Sequence, residues 1–156
     1  MSESLPFSQA CENNKDPILA VLRRHFAATS HVLEIGSGTG QHAEYFAAAL
    51  PHLRWQSTDL AENLAGLNRR LTLAALPNLP SAVELDVTWP DWSCGMVDGV
   101  FSANSLHIMA EPFTRHFFHG VGRHLVEGGR LLVYGPFKYR DEFTTQSNAD
   151  FDLWLK

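Results

Sequence analysis

His31-Val32-Leu33-Glu34-Ile35-Gly36-Ser37-Gly38-Thr39-Gly40-Gln41-His42 decides the fold. A short apolar run breaks into alternate glycines and then into a helical pattern, which reads as a strand, a tight turn and a helix start. Gly36, Gly38 and Gly40 permit positive φ and leave no Cβ between the main chain and a ligand. The N–H donors at the helix start can therefore hold an anionic group, and a nucleotide-like cofactor is the natural guest. The spacing departs from the dinucleotide fingerprint G-x-G-x-x-G: the last glycine comes one residue early, and Gln41 stands where that pattern wants glycine.

Outward from this turn, strand and helix patterns alternate. Upstream, Asp16-Pro17 followed by Ile18, Leu19, Val21, Leu22 and Phe26 predicts a helix capped by Asp16, with Pro17 at its first position, where a missing N–H is harmless. Val32 to Ile35 is predicted as the first strand and Gln41 to Leu50 as the first crossover helix. Leu53 to Thr58 is the second strand, ending at Asp59. Leu60, Leu64, Leu67, Leu71 and Ala74 recur at helical spacing until Pro77-Asn78-Leu79-Pro80 stops them. Ala82 to Leu85 gives a third strand closed by Asp86, and Val97 to Ala103 a fourth. Phe113, Phe117, Val121 and Leu125 mark a helix ended by Gly128-Gly129, Arg130 to Tyr134 a fifth strand, and Thr145 to Leu155 a last helical stretch. This alternation implies an α/β, doubly wound parallel sheet.

Composition bounds the classes of function. At 156 residues the chain fits one domain able to bury its own core. Cys11 and Cys94 lie far apart, outside any C-x-x-C pattern, so reduced thiols are expected rather than a disulfide or zinc site. A net charge of −5 gives no general pull toward nucleic acid or anionic lipid. Met1 to Asp16 has neither the basic start nor the apolar stretch of a leader, and no apolar run reaches membrane-spanning length, so the expected compartment is the cytoplasm.

In such sheets ligands bind beyond the carboxyl ends of the strands, so the residues following each strand are the ones to read. Asp59 lies nineteen residues past Gly40, near the interval at which a carboxylate accepts ribose hydroxyls, in NAD and other nucleosides alike. Asp86 occupies the matching position after the third strand; the bland reading of either aspartate is a turn former or helix cap. Glu34 sits among apolar neighbours, which suggests hydrogen bonding near the cofactor, an edge-facing solvated carboxylate being the alternative. The fourth strand exits into Asn104 and His107; His107 could orient or deprotonate a nucleophile, or be satisfied by backbone carbonyls. His116, His119 and His124 form a poor metal set, since His124 falls off the shared face and no carboxylate or thiolate completes it; a solvated helix face is the expectation. The fourth strand does not run into an Asx-Pro-Pro-aromatic motif and no cysteine follows strand four or five, which disfavours chemistry on nucleic-acid bases.

The frame Glu34-x-Gly36-x-Gly38-x-Gly40 resembles the first motif of class I S-adenosylmethionine (SAM) methyltransferases. Over essentially the whole chain the sequence resembles the methyltransferase-like protein 26 family of that class. The matching residues are Ser8-x-Ala10 with Asn14 and Pro17-Ile18, Asn104-x-x-His107-Ile108, Tyr134-Gly135-Pro136-Phe137 and Ser147-Asn148-x-x-Phe151-Asp152. The resemblance implies a Rossmann-like sheet of order 3-2-1-4-5 with helices on both faces, residues 1–30 supplying a lid segment and helix. It implies SAM as cofactor, with contacts at Glu34, Gly36, Ser37, Gly38, Gln41, Asp59, Leu60, Asp86, Val87 and Asn104, and Asn14 in the lid. Asp59 would take the ribose, Asp86 and Val87 the adenine, and His107 or Tyr134 would face the acceptor. Family members continue through antiparallel strands beside the fifth strand, and here only 21 residues follow Gly135. The expectation is therefore that those strands are absent, and that the Leu131 to Tyr134 edge belongs to a fragment or is paired in a dimer or heteromer. The expected function is methyl transfer to a small molecule or protein. The alternatives are a non-catalytic SAM- or nucleotide-binding module acting through a partner and, against Gln41 and Asp86, a nicotinamide oxidoreductase.

Overall fold

The computed structural model describes residues 5–103, 111–135, 138–139, 142–143 and 151–155. Its elements are α1 (Gln9–His25), β1 (His31–Ile35), α2 (Gln41–Ala49), β2 (Arg54–Asp59), α3 (Ala61–Ala74), β3 (Val83–Glu84), β4 (Val97–Ala103), α4 (Glu111–His124), β5 (Leu125–Tyr134), β6 (Lys138–Tyr139), β7 (Glu142–Phe143) and β8 (Phe151–Leu155). One sheet has the order β3-β2-β1-β4-β5-β8; its first five strands are parallel and β8 runs antiparallel to β5. The doubly wound sheet is thus as the alternating pattern predicts, and its 3-2-1-4-5 order is as the resemblance implies.

Both faces of the sheet are covered, so the strands alternate between two apolar surfaces rather than between core and water. Val32, Trp55, Phe101, Leu132 and Tyr134 join Ile18, Leu22, Phe46 and Leu67 from the helices α1, α2 and α3. Leu33, Ile35, Val100, Leu131 and Val133 face the other way, onto Phe117 and Val121 of α4 and onto Trp92. The β3–β4 connection covers its share of that face with Trp92, only 2% exposed, whose ring fills the place where a Cβ on Gly120 would sit.

The structure corrects the sequence reading at both ends. Helix α1 starts at Gln9, where the Ser8 hydroxyl accepts from the Cys11 N–H, so Pro17 lies inside the helix and Asp16 is not its cap. An internal proline removes one helical hydrogen bond, at roughly 3 kcal/mol, and the packing of Ile18, Leu19 and Leu22 into the core offsets it. One strand of the pair expected to be missing, β8, lies beside β5, while β6 and β7 make a separate two-stranded sheet. Phe151–Leu155, read from the sequence as helix, pairs with β5 from Arg130↔Leu155 to Tyr134↔Phe151. The Leu131 to Tyr134 edge is therefore paired within the chain rather than left for a partner. Among the described residues no helix is long and apolar enough to cross a membrane.

Candidate cofactor site

The turn between β1 and α2 is built as its glycines dictate. Gly36, Gly38 and Gly40 have φ of 75°, 58° and 84°, and Gly40 is the N-cap residue of α2. A Cβ on Gly38 would meet nothing within 4 Å, so this glycine borders open space rather than packed chain. The turn is tied to β2 at several points: the Ser37 N–H donates to the Thr58 carbonyl (2.8 Å), and the Gly38 N–H donates to Asp59 Oδ2 (2.6 Å). Asp59 Oδ1 accepts from the Leu60 N–H (2.7 Å) and from Asn63 Nδ2 (3.0 Å). Carboxylate oxygens carry about four acceptor positions between them, so one remains for a hydroxyl from outside. Leu60, 40% exposed beside it, offers apolar surface at the strand end.

Glu34 is fully buried, which settles its two sequence alternatives in favour of hydrogen bonding. Its Oε1 accepts from the Ser37 hydroxyl (2.7 Å) and from Trp55 Nε1 (2.9 Å), while its carbonyl accepts from the Thr58 hydroxyl (2.6 Å). Burial pushes its carboxyl up to about 7; the two hydrogen bonds pull it back, and the nearby Asp59 charge adds to the rise. Glu34 thus braces the turn from beneath, through Ser37.

Other expected residues lie differently. Asp86 follows β3, carried to the end of β2 by the Leu85 N–H donating to the Asp59 carbonyl, but its Oδ1 accepts from the Thr88 N–H and hydroxyl, as a turn residue's would. Val87 is buried in the α4-side core. Gln41 and Asn14 engage each other's elements: Gln41 Oε1 accepts from the Ser8 N–H, Gln41 Nε2 donates to Glu12, and Asn14 Oδ1 accepts from His42 Nε2. Tyr134 does not face an open crevice; it is 6% exposed within the α1-side core, and burial raises its hydroxyl. Asn104 and His107 lie outside the described residues. His124 is not part of a solvated face: its Nδ1 donates to the Gly120 carbonyl and its ring stacks on Trp92 at 5.2 Å. Among the described residues no group of His, Cys, Asp or Glu is arranged to hold a metal ion.

Arg70, Trp55, Asn63 and His42 contribute to this site and were not singled out from the sequence. Arg70 is the most connected of them. From α3 its Nε donates to the Thr39 carbonyl in the glycine turn, and its terminal nitrogens reach Glu44 and the Pro6 carbonyl. No local signal marks it, because each partner is remote in sequence.

A turn open at Gly38, a strand-end carboxylate with acceptor capacity left and an exposed apolar residue beside it fit the ribose-bearing half of a nucleoside cofactor. The family model for DUF938, described as a protein of unknown function, matches residues 5–156. The chain belongs to the DUF938 family. Among solved structures it is similar to the S-adenosylmethionine-dependent methyltransferase SibL in its apo form, at 22% identity and TM-score 0.71 over 84% of this chain and 38% of that one. It is also similar to PigF with SAH, at 26% identity and TM-score 0.64 over 78% and 37% of the two chains. Human N-acetylserotonin methyltransferase in complex with SAM matches at 16% identity and TM-score 0.65 over 81% and 35%. The likeness is one of fold, a methyltransferase fold, and the chain spans less than two fifths of the length of these structures.

Proposed function

We propose that the chain binds SAM and transfers its methyl group to a small-molecule or protein acceptor, within the branch typified by the methyltransferase-like protein 26 family. The observation that carries the reading is the bond between the Gly38 N–H and Asp59 Oδ2, which sets a positive-φ glycine turn against a strand-end carboxylate at the carboxyl edge of the sheet. The glycine turn and the start of α2 would hold the methionine carboxylate, Asp59 a ribose hydroxyl, and Leu60 with the Asp86–Val87 turn the adenine. Bound SAM supplies an electrophilic methyl on a sulfonium. The chain's own part is to bind, orient and exclude water, which needs little general-base strength when the acceptor is already nucleophilic. His107 is the side chain proposed to meet the acceptor; the burial of Tyr134 speaks against a direct role for it.

That burial also favours a second reading, a SAM-binding module acting through a partner. Incubation with methyl-labelled SAM and a fractionated metabolite and protein extract separates the two. Label transferred to an acceptor, and lost with Asp59→Asn, supports the enzyme; SAM binding without transfer to any fraction supports the module.

A further inference from the structure

Glycine-rich turns lose more conformational freedom on ordering than any other segment, so a turn ready for a ligand needs fixed points outside itself. The turn over residues 36–40 is tied to β2 by the Ser37 N–H on the Thr58 carbonyl, and two further points hold its rim. Its N–H edge is held by Asp59, through Gly38; its carbonyl edge is held by Arg70, whose Nε donates to the Thr39 carbonyl at 2.9 Å. The aliphatic stem of Arg70 also packs against Gly40, where an added Cβ would stand 3.2 Å from Arg70 Cδ.

The guanidinium does not stop at the turn. Its second terminal nitrogen donates to the Pro6 carbonyl at 2.6 Å, and Pro6 itself packs on Gly66, one turn earlier on α3. Beyond Pro6 the N-terminal segment is hooked onto the first residues of α2: the Ser8 N–H and the Glu12 carboxylate to the two ends of the Gln41 amide, and Asn14 to His42. Lys15, hydrogen-bonded to Glu12 at 2.8 Å, lies 4.6 Å over the Tyr45 ring and extends the contact along α2. One planar fork thus joins three things that are otherwise separate in sequence: the glycine turn, the body of α3 and the chain entering α1.

We infer that Arg70 is a positioning residue for the cofactor turn, and that through it the order of the turn depends on the docking of residues 6–14. The inference rests on the SAM reading above. Lysine cannot replace arginine here, since a single ammonium lacks the rigid fork that spans two carbonyls and a carboxylate. The Glu44 ion pair is the least important arm: the Glu44 side chain is 41% exposed, and such pairs contribute little. Affinity gained by fixing the turn in advance is affinity that does not have to be spent on ordering it when the ligand arrives.

The test combines amide hydrogen exchange with SAM titration on the full chain and on Arg70→Ala, Arg70→Lys and Glu44→Ala. Arg70→Ala is expected to speed exchange at both 5–14 and 36–41, leave the strands of the sheet protected, and weaken SAM binding by roughly tenfold, the equivalent of about one hydrogen bond. Glu44→Ala should leave both within about twofold. Should Arg70→Ala fail to fold, Arg70→Lys carries the test, with faster exchange at 5–8 and 36–41 and weaker binding in the same direction. Unchanged affinity in a folded Arg70 variant, or looser exchange at 5–14 with residues 36–41 unaffected, overturns the inference. Absence of SAM binding by the unaltered chain overturns the cofactor reading and the positioning role together, and is told apart by the wild-type titration alone.

Discussion

Glu34 shows how a single buried side chain can tie the site to pH. Its carboxyl is raised to about 7, so between the ordinary glutamate value and pH 7 the folded state holds a proton the unfolded chain has released. The stability this represents is fully present below the unfolded value and is lost as pH rises through the folded one, on the order of 3 kcal/mol in total. His42 runs the other way: burial lowers it to about 4, so its contribution is present above its unfolded value and lost as pH falls through 4. The two slopes offset each other in mildly acid solution, and the Glu34 decline outlasts the His42 gain as pH rises through 7. Glu34→Gln should remove it. The amide oxygen can keep both bonds now made by Oε1, and the buried Ser57 hydroxyl, which has no hydrogen-bond partner among the described residues, belongs to its register neighbour on β2. Urea denaturation at pH 6 and pH 8 checks this: the unaltered chain loses stability between the two and the variant does not. Equal losses would place the titrating group elsewhere.

At the scale of elements, the glycine turn divides into a functional and a structural half. A side chain at Gly40 would meet Leu67 Cδ1 at 2.8 Å as well as a φ of 84°, so Gly40→Ala should destabilise the fold by about 2–4 kcal/mol in urea denaturation. Gly38→Ala meets only the backbone penalty, about 1–2 kcal/mol, but places a methyl in the open space beside Asp59. It should stay folded and lose most SAM affinity in calorimetry; a folded Gly38→Ala chain with full affinity would show that the ligand lies elsewhere.

The turn and the strands beside it were legible in the sequence because their determinants are local. Alternate glycines between Ile35 and Gln41, and apolar runs such as Val32 to Ile35, specify the backbone without reference to distant partners. The start of α1 was less so. Asp16-Pro17 carries a strong cap signal, and it was overridden because Ser8 supplies a cap while Gln41 and His42 hold the preceding turns against α2. Arg70 was not legible at all, since carbonyl acceptors leave no trace in side-chain identity. Phe151-Asp152-Leu153-Trp154-Leu155 is too short for its spacing to separate strand from helix, and the partner that decides it, β5, lies some twenty residues earlier.

On the scale of the whole molecule, β8 covers the outer side of β5. An uncovered β5, apolar at Leu131, Leu132 and Val133, would offer its backbone to any passing strand. With β8 paired along it, the unaltered chain should not associate through that edge. Removing residues 151–156, or breaking the ladder with Leu153→Pro, should produce concentration-dependent association in light scattering. A truncated chain that stays monomeric at high concentration would mean that β8 is dispensable for protecting β5.

The central claim is that the glycine turn and Asp59 form a SAM site, and calorimetric titration of the purified chain with SAM, S-adenosylhomocysteine and NADH tests it most directly. Saturable heat with the two adenosyl ligands, none with NADH, and a marked loss of affinity in a folded Asp59→Asn chain are the predicted results. Heat with NADH alone, or none with SAM from a chain whose circular dichroism is that of the folded protein, would contradict it.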